Sequence, residues 1–427
     1  MNIELINTGS ELMLGRVLNT HQQWICRKLA DSGRVVTRQV AVEDEANAIR
    51  DAVAEALERA DLIITTGGLG PTSDDITRDL VAQLLGLELR EDASALANIE
   101  GFFRQRGRPM PPSTRIQAMV PEGGDVIHNA HGTAPGLAIP IHPSRAKAAS
   151  GPQWLVMLPG PPRELRPMFE KQILPFIEKH YPNNESFVSL TLRTTGMGES
   201  LVEERIAPEL RELLNRGLGI GYCARTGEVD VRLVSKGSDG QKLVQEAALI
   251  CRKLLAPHVY GEGDELIETE LVRELIRQRQ SVSVAESCTG GLVGHRITNV
   301  PGSSEVFHGG VVAYHNDVKV STLGVPESVL ATEGAVSEAC ARAMADGVRR
   351  LLKSDWAISV TGIAGPGGGS TEKPVGLAYI GVASAKETRA VRVMNPFDRE
   401  TFKHSTSQQA LDLLRRAISA QSSAGNG

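Results

Sequence analysis

The chain has 427 residues, enough for two or three domains with cores of their own. Its 46 Lys and Arg against 51 Asp and Glu leave a formal charge of −5, which excludes a broadly basic, nucleic-acid-coating surface though not a local basic groove. Hydrophobic residues at 41% and a mean hydropathy of −0.14 describe a globular chain rather than a disordered one. No apolar run approaches the ~18 residues of a membrane span, and MNIELINTGSEL has no apolar stretch of a secretory signal. The cysteines at 26, 223, 251, 288 and 340 form no C-x-x-C pair. Neither a disulfide framework nor a cysteine zinc site is therefore expected, and a reducing, cytoplasmic location is.

In chain order, the first 85 residues alternate short apolar strands with helices. Ile3–Thr8 reads as a strand, and Asn19 is placed to cap a helix running to about Ser32, with Gly33 suited to the position after its end. Residues 34–42 are strand-like, and Ile49, Val53 and Leu57 recur on one helix face. Leu62–Thr66 is a strand that stops at GGLGPTSDD, a helix resumes near Ile76, and a further strand, Trp154–Leu158, runs into PGPPRE. This order predicts a parallel sheet covered by helices. Between those strands, 142–151 (HPSRAKAASG) reads as a polar surface insertion.

A change of texture near residue 167 opens a small α+β module, with alternation over 187–195 and 229–234 and helix patterns over 199–215 and 241–255. From about 265 the strand–helix alternation restarts: helix 265–280, strands 281–285 and 310–314, helix 334–353, and strands 355–360, 375–384 and 387–394. A final helix from Arg399 ends in a tail, SSAGNG, that is expected to fray. The predicted fold class is α/β: two parallel-sheet-containing α/β domains joined by a small α+β module.

Ligands of parallel α/β sheets bind beyond the carboxyl ends of the strands, where helix N-termini present N–H groups to anions. In ITTGGLGPTSDDITRD (64–79), Gly67, Gly68 and Gly70 with Thr72 suit a phosphate or pterin-type ligand. Asp74 and Asp75 suit a hard divalent cation bridging that phosphate, although a helix N-terminus favouring acids explains one of them on its own. NTGSELMLGRVLNT (7–20) and LPGPPRE (158–164) are candidates to complete the rim, with Glu164 either a further ligand or a helix-start acid. His128 and His131 read as solvated side chains.

In the last third, three breaks each follow a strand. In AESCTGG (285–291), Ser287 is a candidate nucleophile, and Gly290 and Gly291 admit a ligand close to the main chain; an N-cap serine in a tight turn accounts for the same residues. Tyr314 to Lys319 spans a strand end and a first helical turn. A desolvated Lys319 is a candidate base toward Ser287, with His315 as competitor on the opposite face. SVTGIAGPGGGSTEKPVG (359–376) places five glycines between 362 and 369, Gly365 and Gly367 among them. It is neither a Walker A loop nor GxGxxG, and reads as a phosphate or ribose cradle or as a flexible surface loop.

Together AESCTGG, the Tyr-x-Asn-x-x-Lys of YHNDVK, GAVSE (334–338) and TGIAGPGGG…EKPVG resemble the C-terminal domain of the CinA (competence/damage-inducible protein A) family, over residues 265–420. The resemblance implies a nicotinamide-nucleotide amidase that hydrolyses nicotinamide mononucleotide to nicotinic acid mononucleotide and ammonia without a cofactor. Ser287 would be the nucleophile, Lys319 its base, Tyr314 part of the lining and Thr361 a further active-site hydroxyl. Arg399 would bind phosphate bidentately, and amides near 288–290 would stabilise the oxyanion. Cys288 is the chemical rival to Ser287.

Residues 1–166, with GTAPG (132–136), resemble the molybdopterin-binding fold in the N-terminal half of the same family. That implies a divalent-metal-dependent ADP-ribose pyrophosphatase held by Asp74, Asp75 and Glu164, related domains binding molybdopterin instead. Residues 167–260 resemble the family's KH-type region, expected to be without the GXXG loop that grips nucleic acid and to serve dimer assembly. The implied protein is a cytoplasmic homodimer acting on nicotinamide mononucleotide and ADP-ribose, with neither a membrane nor a nucleic acid as partner. Rival readings are a non-enzymatic competence or DNA-repair accessory protein and molybdopterin handling. The aromatic content of 4% weighs against direct nucleic-acid binding.

Overall fold

The computed structural model describes residues 1–141, 152–182 and 186–425, with side chains as far as 421 in the last helix. The 142–151 insertion and the end of the SSAGNG tail lie outside the described residues. The chain forms two compact units, Met1–Val188 and Ser189–Gly427.

The first unit carries β1 (Ile3–Thr8), β2 (Val36–Val42), β3 (Leu62–Thr66), β4 (Leu89–Glu91), β5 (Met119–Pro121), β6 (Asp125–Ile127), β7 (Gly136–Pro140) and β8 (Trp154–Leu158). Its main sheet runs β2-β1-β3-β8-β7-β6, and β4 pairs with β5 separately. β2, β1, β3 and β8 are parallel, as the alternation predicts. β7 and β6 add an antiparallel edge that sequence periodicity did not show, because three- and five-residue strands are too short to display a period. Side chains alternate across the sheet. Ile3, Leu5, Leu62 and Ile64 enter the core under Thr20–Asp31 and Pro162–Met168, while Ile6 and Ile63 enter the core under Ala46–Leu57 and Thr77–Leu85. Burial on both faces is why these strands read as unbroken apolar runs. Asn19 caps its helix through Oδ1, which accepts from the Gln22 amide at 3.1 Å. The unit runs past residue 166, since Met168, Phe169, Ile173 and Ile177 are buried in the same core as β1.

The second unit opens with a four-stranded sheet of β9 (Phe187–Thr195), β10 (Gly219–Arg225), β11 (Glu228–Lys236) and β12 (Val259–Glu262), ordered β10-β11-β9-β12. The helices Glu199–Asn215 and Gly240–Leu255 bury Val202, Ile206 and Leu210, and Val244, Ala247, Ala248 and Cys251, at three- and four-residue spacing. One expectation is corrected here. Gly237, Ser238, Asp239 and Gly240 do spell G-x-x-G. They form the turn from β11 into the helix Gly240–Leu255, with one acid, Asp239, among the four residues.

The remaining sheet comprises β13 (Val282–Glu286), β14 (Phe307–Val312), β15 (Trp356–Gly362), β16 (Leu377–Ala383) and β17 (Thr388–Met394), ordered β14-β13-β15-β16-β17. β14, β13 and β15 are parallel, and β16 and β17 follow antiparallel. Ile267–Gln278, Leu292–Thr298 and Arg399–Gly425 share a core on one face, and Glu338–Leu352 packs on the other. The carboxyl ends of the three parallel strands therefore share one edge, and the three sequence breaks meet there. Among the described residues no helix is long and apolar enough to cross a membrane.

Candidate active sites

Ser287 follows the last residue of β13, and its amide donates to the Val360 carbonyl of β15 at 2.9 Å. That bond fixes the half-buried serine at the sheet edge. The loop behind it turns through Gly290 and Gly291 at φ of 63° and 98° and enters the 292–298 helix. The helix start has no hydroxyl cap. Instead the buried Glu286 carboxylate accepts from the amides of Gly291, Val293 and Gly294 at 3.0, 3.1 and 2.8 Å. Sequence reading quoted Glu286 within its motif and gave it no role. An acid five residues before a glycine-opened helix was the available signal.

Lys319, in the short helix Asn316–Ser321, is only 1% exposed. Its Nζ lies 3.2 Å from Ser287 Oγ, 2.7 Å from the Ala313 carbonyl and 3.3 Å from the Tyr314 carbonyl. Desolvation by burial pushes its pKa below the ordinary lysine value. A neutral amine has two N–H bonds and a lone pair. In that neutral form, with two carbonyls taking the two N–H bonds, the lone pair would face the serine hydroxyl. His315 is exposed, with Nδ1 accepting from the Asp317 amide at 3.3 Å, so it caps the helix away from Ser287. Cys288 is buried and its thiol is pushed up to about 12, chiefly by desolvation, which keeps it in the un-nucleophilic form.

Arg399, at the start of the last helix, donates Nη2 to the Tyr314 hydroxyl at 2.7 Å and Nη1 to the Gly365 carbonyl at 2.9 Å. It thus joins the glycine loop to the 60% exposed Tyr314 ring at the rim. Gly367 lies in open space within that loop. Thr361 is buried and gives its hydroxyl proton to the Ala335 carbonyl at 2.7 Å, anchoring the 334–338 segment rather than presenting a free hydroxyl. Of the amides expected to hold an oxyanion, that of Gly290 already donates to the Ser287 carbonyl at 3.1 Å. The amides of Cys288 and Thr289 have no backbone acceptor among the described residues.

In the first unit a cleft of about 380 Å³ opens beyond β1, β3 and β8. Gly67, Gly68, Gly70, Asp74, Asp75 and Glu164 all line it. Gly68 has φ of 66°, and a Cβ there would collide with the Thr77 side chain. At Gly70 a Cβ would collide with the Asp75 carboxylate. Asp75 is turned inward, accepting from the Thr72 amide at 3.0 Å and from its hydroxyl. Glu164 is buried and accepts from Asn129 Nδ2 at 2.8 Å. Asp74 is exposed, and a hydrogen bond from Thr72 holds its carboxyl below the usual carboxylate value. Among the described residues no three His, Cys, Asp or Glu groups converge on one point. These all-oxygen donors therefore make no closed cage; the set fits a hydrated cation that shares its ligands with a substrate phosphate. His128 and His131 are exposed outside the cleft lining. Sequence reading missed Asp44 and Gln117. Gln117 lines the cleft with its Oε1 buried and unpartnered.

Three family descriptions match the chain: "Probable molybdopterin binding domain" over residues 4–179, "Damage-inducible protein CinA KH domain" over 189–261, and "CinA C-terminal domain" over 264–418. A "CinA-like protein" of Gemmatimonas aurantiaca is 41% identical over 99% of this chain and 97% of its own length. The chain belongs to the CinA family. A second CinA-like protein, from Akkermansia muciniphila, is 41% identical over 96% of both chains. The crystal structure of the competence/damage inducible protein CihA from Agrobacterium tumefaciens matches with 38% identity and a TM-score of 0.35, over 36% of this chain and 97% of that one. The family carries a molybdopterin-binding-like domain, a KH-like module and the CinA C-terminal domain in that order along this chain.

Proposed function

We propose that the CinA C-terminal domain hydrolyses the carboxamide of nicotinamide mononucleotide, releasing ammonia and nicotinic acid mononucleotide. The observation that carries this reading is the 3.2 Å approach of the buried Lys319 amine to Ser287 Oγ. Lys319 accepts the serine proton as Oγ bonds to the carboxamide carbon. The C–N bond then breaks, and the proton passes to the departing nitrogen, which leaves as ammonia. Water attacks the resulting ester, Lys319 takes its proton and returns one to Oγ, and the acid is released. The amides at 288 and 289, which have no backbone acceptor among the described residues, are the donors this reading assigns to the developing oxyanion. Arg399, fixed at the rim by the N–H bonds it gives to Tyr314 and Gly365, has further guanidinium N–H bonds that suit the phosphate.

Ammonia release from nicotinamide mononucleotide in a chelated buffer tests the reading. Wild type is expected to release ammonia and Ser287→Ala to release none. A silent wild-type enzyme, or an active Ser287→Ala with a dead Cys288→Ala, overturns it.

A second reading rests on the cleft of the first unit, where glycine-rich main chain faces carboxylates. It is a metal-dependent ADP-ribose pyrophosphatase. Asp74 and Asp75 would hold a divalent cation, which supplies charge neutralisation at the diphosphate. The glycine loop binds the phosphates and Gln117 orients the remainder. Loss of ADP-ribose turnover on chelation is the expected result; unchanged turnover refutes the metal requirement.

A further inference from the structure

The four-stranded module is wired into the proposed amidase site by buried polar side chains. Arg193 on β9 is 1% exposed and donates Nη2 to Glu228 Oε2 at 3.0 Å. The other oxygen of Glu228, on β11, accepts from Gln408 Nε2 at 2.8 Å. Gln408 is itself 1% exposed and sits in the helix that begins with Arg399. Its Oε1 accepts from Arg296 Nη2 at 2.6 Å. Arg296 belongs to the helix that leaves the Ser287 loop, and it also donates to Glu268 at 2.7 Å and to the Ser407 hydroxyl at 2.9 Å.

Two helices carry the two ends of the site: the 292–298 helix extends the nucleophile loop, and the 399–425 helix presents Arg399. Gln408 is the side chain that ties both to the neighbouring module. A buried amide has one donor end and one acceptor end, so it reads the charge on each side. Facing Arg296 it must present oxygen, and facing Glu228 it must present nitrogen. A carboxylate in its place would keep the arginine and meet Glu228 with like charge in a desolvated setting.

We propose that Gln408 is a positioning residue, through which Glu228 of the KH-like module sets the spacing between the Ser287 loop and Arg399. Substrate binding by the proposed amidase thereby depends on a neighbouring module that touches no substrate. This inference rests on the amidase reading for its kinetic readout, and a second readout is independent of it.

The experiment uses the full chain with Gln408→Glu, Glu228→Gln/Gln408→Glu and the near-isosteric Gln408→Met. Kinetics with nicotinamide mononucleotide are measured beside hydrogen exchange of the amides in 287–298 and 399–403. Gln408→Glu is expected to raise KM about tenfold with kcat within about twofold, and to speed exchange in both segments about tenfold. The double variant restores the 228–408 pairing with donor and acceptor exchanged, while the Tyr260 hydroxyl loses the Glu228 oxygen it also donates to, so both readouts are expected to return most of the way, though not fully, to wild type. Wild-type exchange and KM in Gln408→Glu, or a double variant no better than that variant, overturns the proposal. Should Gln408→Glu fail to fold, a folded double variant supports the coupling, and Gln408→Met with wild-type exchange and KM overturns it. A wild-type chain that releases no ammonia defeats the amidase reading, and rescue of exchange by the double variant then decides the coupling alone.

Discussion

The two candidate sites of this chain are built in opposite ways. At the carboxyl edge of β13, β14 and β15 the reactive groups are assembled before any ligand arrives: Lys319 is buried, desolvated and 3.2 Å from Ser287 Oγ. In the first unit the inward acids are satisfied by the protein itself, Asp75 by Thr72 and Glu164 by Asn129, while Asp74 and Glu11 stand exposed at the cleft. A proton transfer between two side chains demands fixed geometry, whereas a cation that keeps some of its waters demands only reachable oxygens.

The largest expected effect falls on the preassembled site. Ser287→Ala should lower kcat for ammonia release by at least about a thousandfold, while Cys288→Ala keeps most of it; equal losses would erase the distinction drawn between the two residues. Lys319→Met should cost about a hundred- to ten-thousandfold. The pH profile sharpens this. Protonated Lys319 cannot accept a proton, so kcat/KM must rise with pH through its folded-state pKa. Burial holds that value below the ordinary lysine range, so the plateau should be reached before that range and the rising limb should vanish in Lys319→Met.

Arg399→Ala should act on binding. KM for the mononucleotide is expected to rise about ten- to a hundredfold, the equivalent of one charge-assisted contact, with little change for the unphosphorylated riboside. In the open cleft, Asp74→Ala should reduce ADP-ribose turnover about tenfold, in line with loss of one ligand contact, and chelation should abolish it while ammonia release continues. Loss of both activities on chelation would remove the contrast between the two sites. The smallest effect is structural: Gly68→Ala, which combines φ of 66° with a collision against Thr77, should destabilise the first unit by about 1–3 kcal/mol, measured as a lower Tm.

What sequence revealed follows from what repeats. β1, β3, β8 and β9 carried their own apolar or alternating patterns and were legible to the residue. The short antiparallel strands β6 and β7 and the hairpin strand β10 were not, since their identity depends on a partner rather than on a period. At the candidate site, Ser287 and Lys319 were proposed from residue chemistry at strand ends, and Arg399 from the family resemblance alone. Their supports were not legible. The carbonyls of Ala313 and Tyr314 carry no residue signature, and Gln408 acquires meaning only when Glu228, some 180 positions away, is brought against it. The helix 162–180 was missed as part of the first core because Pro162 and Pro167 mask its period.

The carboxylate of Glu286, holding the amides of Gly291, Val293 and Gly294 behind Ser287, has a thermodynamic corollary. A ligand bound at the proposed site would not need to organise this turn, because an internal anion has already done so. The entropy of ordering that turn is met during folding, and the affinity gained from each new contact is correspondingly undiminished.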